Sequence, residues 1–325
     1  MNTWKPEILQ VGEHTYTYIS EGTLARNNPA LVSGSDFSIA LDATAHVNDM
    51  AEFISAMNAV TGRRQIKYLF FTHSHGDHTD GAVVLSGAAQ IAAEGLIRIL
   101  KETKQRKEKD IVPLTFTEKK GERVPIPEIG FTGHMMIDPG DCRVELIDFG
   151  HAHTPSDAIA YIPEDGVVFC GDLLYNKVLP DGNQCRLDRW IDAIDSILML
   201  DAETYIPGPG PVAKREDVMV CRSCLEQMYV SACEAADKGR DLKELCLQID
   251  LGECEEWLEP GRRVSLLDVA YRTHLGQDPV MDLPDWDINE TIDEIRISRG
   301  LKKAAIYIPT KEYPYFRYMD PAFRH

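Results

Sequence analysis

Basic residues are scarce in this 325-residue chain, where 34 lysines and arginines stand against 52 aspartates and glutamates for a formal net charge of −18 with the histidines neutral. Such a surface repels phosphate backbones and anionic headgroups, so neither nucleic acid nor a membrane is an expected partner. Long apolar runs are missing as well. No stretch approaches the length that spans a bilayer, and the opening Met1-Asn2-Thr3-Trp4-Lys5-Pro6-Glu7 lacks a basic then apolar leader. A cytoplasmic protein is expected. The chain has no internal repeat and no low-complexity tract, and its eight cysteines follow no framework spacing in a length that needs no disulfide staples. They are expected to be reduced. Cys221-Arg222-Ser223-Cys224 is the one close pair, and Val218, Leu225 and Met228 around it have helical spacing. It reads as a structural pair on a buried helix face.

What the chain does have is histidine in one place. Phe71-Thr72-His73-Ser74-His75-Gly76-Asp77-His78-Thr79-Asp80-Gly81 gathers three of the ten histidines with two carboxylates. The run before it, Ile66 to Phe71, is short, apolar and aromatic, and reads as a buried strand whose end aims the histidines. His73 and His75 are two apart, so from extended backbone both can face one cation. Gly76 permits a turn that carries Asp77 and His78 toward an adjacent cation. Imidazole and carboxylate together suit zinc, with iron or manganese as alternatives.

These residues resemble the signature of the metallo-β-lactamase-fold superfamily, His-x-His-x-Asp-His after a strand. The likeness continues downstream. Gly150-His151-Ala152-His153-Thr154-Pro155-Ser156-Asp157 is similar to the second motif, which implies His153 as third ligand of the first metal. Cys170-Gly171-Asp172-Leu173-Leu174 is similar to the third, which implies Asp172 as the carboxylate bridging two metals. Motif order over roughly residues 10 to 235 resembles most the quinoprotein-associated, SoxH-like branch, on the run Val167 to Asp172 and the segment after it. The resemblance implies a four-layer αββα sandwich with the metals at the sheet edge. One departure stands out. Where the family has Pro-Gly-His-Gly-Pro, this chain reads Pro207-Gly208-Pro209-Gly210-Pro211, and a proline side chain offers no ligand. The second metal keeps Asp77, His78 and Asp172; His134, His151 and His274 are the candidates to replace the missing histidine.

Along the chain, alternation and turn residues predict strands in 8–41, 66–71, 90–93, 143–149, 158–162, 166–170 and 204–206. Helical periodicity predicts helices at 48–60, 81–85, 95–109, from Asp188 as N-cap, at 215–239, 241–251, 264–274 and 289–301. Residues 111–136 read as irregular structure and a hairpin, and Glu21 to Pro29 as a loop over the pocket. Interleaved strands and helices make an α/β (α+β) chain. We expect a catalytic domain over 1–235 and a helical, irregular extension over 236–325 whose aromatic end, Tyr307 to Phe323, caps the pocket, packs on its own domain or meets a second subunit.

A bound divalent cation lowers the pKa of its water from about 15.7 to about 7, which suffices for acyl hydrolysis without a serine or cysteine nucleophile. The expected function is a metal-dependent hydrolase in which a metal-bound hydroxide opens an ester, lactone, thioester or amide of a small molecule. The resemblance implies that His73, His75, His153, Asp77, His78 and Asp172 would hold one or two zinc ions, with Asp77 orienting the water and passing its proton on. Tyr175, three residues past Asp172, resembles the tyrosine with which acyl-homoserine lactonases meet the substrate carbonyl; packing at the pocket rim is its other reading. A homodimer is expected. The rival functions are iron-dependent redox, lyase or isomerase chemistry on the same fold, or a binding protein with a degenerate second site.

Overall fold

The computed structural model describes residues 7–20, 27–62, 64–108, 126–277 and 286–303. Four short strands open the chain: β1 (Glu7–Gln10), β2 (Thr15–Ile19), β3 (Ala30–Ser33) and β4 (Ser38–Leu41). Helix α1 (Val47–Thr61) follows and stops where Gly62 takes a left-handed backbone, φ 75°, as the glycine past Val60 predicts. Then come β5 (Ile66–Phe71), the single turn α2 (Gly76–Thr79), a 3₁₀ turn over Asp80–Leu85, β6 (Ala89–Ala93) and α3 (Glu94–Glu108). With β7 (Ile129–Phe131) these strands make one sheet in the order β1 to β7, its last three pairings parallel.

The second sheet holds β8 (His134–Ile137), β9 (Val144–Gly150), β10 (Asp157–Ile162), β11 (Val167–Gly171) and β12 (Thr204–Pro207), in the order β12-β11-β10-β9-β8. Helices α4 (Leu187–Leu198), α5 (Arg215–Asp237), α6 (Leu242–Gln248), α7 (Arg263–His274) and α8 (Ile288–Ser298) complete the described chain.

Period-2 alternation sorts the strands' side chains into layers. Ile39, Leu41, Phe70, Ala158, Ala160, Val167 and Phe169 meet between the sheets. Ala40, Leu69 and Phe71 turn the other way, onto Met50, Phe53 and Met57 of α1 and Leu96 and Leu100 of α3. Ile159, Val168 and Cys170 face α4, α5 and α7, where Trp190, Ile194, Cys221, Leu225 and Leu266 are buried. Helix, sheet, sheet, helix is therefore the order of layers. Each fully buried aliphatic or aromatic side chain contributes about 1.5–3 kcal/mol, so the three clusters together hold the sheets.

Two local expectations fail. Of the irregular structure and hairpin expected over 111–136, residues 111–125 lie outside the described residues, and the rest forms no hairpin: β7 pairs in parallel with β6 and β8 antiparallel with β9, so the corner at Thr132-Gly133 (φ 69°) carries the chain from one sheet to the other. Asp188 is not an N-cap, because α4 begins one residue earlier and the Asp188 carboxylate takes both Nε and Nη2 of Arg186. Residues 21–26 of the expected pocket loop and Tyr307 to Phe323 lie outside the described residues.

Candidate metal centre

The site gathers at the ends of β4, β5, β10 and β11. β5 buries Leu69, Phe70 and Phe71 completely and sets Thr72 and His73 just past its end, both buried. There Asp42, which follows β4, is fully buried and accepts three hydrogen bonds of 2.7 Å: from the Thr72 N–H, from Thr72 Oγ1 and from His78 Nδ1. Because the Thr72 hydroxyl gives its proton to Asp42, its oxygen can only accept from His73 Nδ1, 3.0 Å away. One carboxylate thus fixes both rings with the proton on Nδ1. The Nε2 lone pairs of His73 and His78 are left pointing inward, buried and without a protein partner.

The other members converge on the same spot. Gln184 Oε1 sits 3.3 Å from His75 Nε2, which fixes that ring's proton outward and leaves His75 Nδ1 to face His153 Nε2 at 3.3 Å. Asp172, after β11, brings Oδ1 to 3.2 Å from His78 Nε2 and Oδ2 to 3.5 Å from His153 Nε2. His73, His75, His153 and Asp172 each offer a ligand atom within 4.8 Å of the others. Asp77, partly exposed, places Oδ2 3.6 Å from His78 Nε2. Lone pairs facing lone pairs at such distances repel unless a cation stands among them. The residues fit a metal ion.

Electrostatics give the same answer. Burial holds His73 well below the usual histidine range, with His78 and His75 adding to the effect, and burial pushes His153 down to about 3. Both are neutral ligands. For His78 burial also disfavours charge, but Asp172, Asp77 and Asp42 around it outweigh that and drive it well up. The three carboxylates thus favour positive charge at this spot, which a cation would supply.

Tyr175 is buried, and its hydroxyl donates to Asp172 Oδ2 at 2.5 Å, so in this structure its donor serves the carboxylate. Its ring and Trp190 flank His153, with centroids 6.0 and 4.9 Å from the imidazole, and Trp190 Nε1 is anchored on the Leu173 carbonyl. The Pro207–Pro211 turn passes directly beneath. A Cβ on Gly208 would stand 1.8 Å from Asp172 Oδ1, so only glycine lets the backbone approach. Pro209 presents its carbonyl to the Asn176 N–H. Of the candidates to replace its missing ligand, His134 is exposed beside Glu145, His274 pairs with Asp237, and His151 Nε2 is bonded to the Gln184 carbonyl. None has a nitrogen shown on the second set. Sequence reasoning missed Asp42, Thr72 and Gln184; an acid closing the apolar run Ser38–Leu41 was the available signal for Asp42.

A model of the metallo-beta-lactamase superfamily matches residues 24–208, more than half of the chain. The chain belongs to that superfamily. The match spans His73, His75, Asp77, His78, His153, Asp172, Tyr175 and Asp42, and ends within the Pro-Gly-Pro-Gly-Pro turn. A curated relative, metallo-beta-lactamase type 2 of Bacteroides fragilis, is 24% identical over 238 residues, covering 69% of this chain and 87% of that one. Among solved structures, the metallo-beta-lactamase from Pontibacter korlensis superposes with a TM-score of 0.56 at 19% identity, over 68% of this chain and 99% of that one. The metallo-beta-lactamase FIM-1 from Pseudomonas aeruginosa, in its mono-zinc form, gives 0.54 at 20% identity over 69% and 96%. Superfamily proteins thus share the sandwich.

Proposed function

We propose that this superfamily member is a zinc-dependent hydrolase that cleaves an ester, lactone, thioester or amide of a small molecule. The observation that carries the reading is the convergence of His73, His75, His153 and Asp172, buried or half-buried, from three separate loops with their lone pairs mutually exposed. A divalent cation held there would supply a nucleophilic hydroxide at neutral pH and polarise the scissile carbonyl. The chain's own residues do the rest. Asp42 and Gln184 hold the ligand tautomers, Asp77 at the open side accepts and returns the proton, and Trp190 and Tyr175 keep His153 in place and dry.

Pro209 favours one tightly held ion, with Asp77, His78 and Asp172 as a weaker second set; the mono-zinc form of FIM-1 is consistent with a single ion on this fold. Placement in the SoxH-like branch, a lactonase-like substrate, a cytoplasmic setting and a homodimer belong to the same proposal. The eight unpaired cysteines agree with a reducing compartment. Among the described residues no helix is long and apolar enough to cross a membrane.

The test is the metal content of protein purified without added metal, alongside hydrolysis of chromogenic esters, thioesters and lactones. We expect one to two zinc per chain, with His73→Ala and His153→Ala losing both metal and turnover. Iron in place of zinc, or turnover surviving either substitution, would refute the assignment.

A further inference from the structure

Arginines in this molecule find carboxylates wherever they are withdrawn from solvent. Arg186, Arg222, Arg263, Arg272 and Arg296 each meet one at 3.0 Å or less. Arg262, also half-buried, meets none within 4.0 Å among the described residues. The one hydrogen bond of its guanidinium among the described residues runs from Nη1 to the Leu179 carbonyl at 3.2 Å. A guanidinium carries five N–H donors, and holding it half-buried with one neutral acceptor is costly unless an anion completes it.

Its position is built rather than incidental. The loop after β11 is zipped to the segment before α7 by Leu179 N–H to Leu258 O and Leu258 N–H to Lys177 O, both 2.9 Å. Gly182 presses on Leu266, where a Cβ would come within 2.4 Å, and its N–H reaches Ser265 Oγ. The same loop supplies Gln184 to His75. The Arg262 Cζ lies 5.8 Å from the centroid of the Tyr175 ring, whose hydroxyl is on Asp172 and whose centroid is 6.0 Å from that of His153. Burial opposes the charge on Arg262, and the fields of Tyr175, Asp181, Glu259 and Asp172 sustain it. This permanent cation therefore sits one ring away from the metal centre, on a segment beyond the superfamily match.

We propose that Arg262 binds a carboxylate of the substrate remote from the bond to be cleaved, so that the enzyme takes anionic acyl compounds. What is cleaved rests on the hydrolase reading; the anion site does not. The planar fork of arginine suits a carboxylate in two-point contact, which the carbonyl of Leu179 cannot provide.

The test compares ligands that differ in one carboxylate. Dicarboxylates from glutarate to suberate, and their monomethyl esters, are titrated calorimetrically into the zinc-loaded full chain. One carboxylate serves the metal centre in both series, and the second is present only in the diacids. Wild type should prefer the diacid about tenfold or more at one chain length. Arg262→Met should erase that preference while leaving monoester affinity and zinc content unchanged, and Arg262→Lys should restore part of it. No preference in wild type, a preference that survives Arg262→Met, or equal loss for both ligands would overturn the proposal. An Arg262-dependent preference in a protein that hydrolyses nothing would instead sink the hydrolase reading and leave the anion site standing.

Discussion

Asp42→Asn is the most informative single change, because it keeps shape and alters only who donates. Asp42 has a left-handed backbone, φ 58°, which asparagine adopts readily, so the substitution adds no backbone strain. The native carboxylate accepts from the Thr72 N–H on Oδ1 and from Thr72 Oγ1 and His78 Nδ1 on Oδ2. An amide has one oxygen. Turned one way, its NH₂ faces the Thr72 N–H; turned the other, it faces His78 and Thr72 Oγ1 and drives the His78 proton onto Nε2, the atom meant for metal. The first orientation leaves a buried donor opposed by a donor, costing about 1–3 kcal/mol, and the second puts a proton on the ring atom a metal would need. Removing the negative charge also makes both imidazoles poorer ligands. The sum corresponds to a loss of about 10–100-fold in zinc affinity, the usual range for a partner standing behind the ligands. Competition with a chromophoric chelator reads it directly, and the d–d spectrum of the cobalt form reports whether the geometry changes. Zinc affinity within twofold of wild type would refute the claim that one carboxylate sets both tautomers.

Further outcomes follow from neighbouring contacts. Gly208→Ala puts a methyl group where Asp172 Oδ1 lies, so metal retention should fall at least tenfold while circular dichroism stays native; an unchanged zinc content would show that the turn yields freely. Burial pushes Glu255 up, but hydrogen bonds from Arg263, the Leu251 N–H and Arg299 prevail and hold it down to about 2. Its folded-state pKa lies below the unfolded one, so the stabilisation, at most about 3 kcal/mol before solvent screening, is present above about pH 4.5 and is lost as pH falls toward 2. Urea melts in EDTA should show a shallower acid dependence for Glu255→Gln over that window; identical slopes would contradict the pairing.

Interleaved strands and helices were legible from period 2 and apolar stripes, and the four layers came with the superfamily resemblance; Ile39 and Leu41 against Ala40 show two faces. The spacing of His73, His75, Asp77 and His78 pointed to a cation, and the superfamily resemblance added His153 and Asp172. What escaped was whatever depends on two distant segments meeting. Ile129 to Ile137 carries hairpin punctuation, yet its two halves join different sheets, and nothing local records which partner a short strand takes. Asp188 looked like a cap until Arg186 claimed its carboxylate. Asp42, Gln184 and Arg262 lie 31, 109 and 187 residues in sequence from His73 or His75 and belong to no local pattern. Their roles exist only once the loops at the sheet edge are closed.

The Pro207–Pro211 turn has a consequence for how one substitution can change this site. Asn28 Nδ2 holds the carbonyls of Pro207 and Gly210, Asn176 Nδ2 that of Pro211, and the Asn176 N–H that of Pro209. Every one of these bonds uses backbone oxygen, and none uses the ring at 209. The bonds that hold the turn are therefore the same whichever side chain stands at 209, so Pro209→His is expected to keep them. On the proposed reading, occupancy of the second set would then hang on one side chain, while the first set is held by Asp42, Thr72 and Gln184 around it.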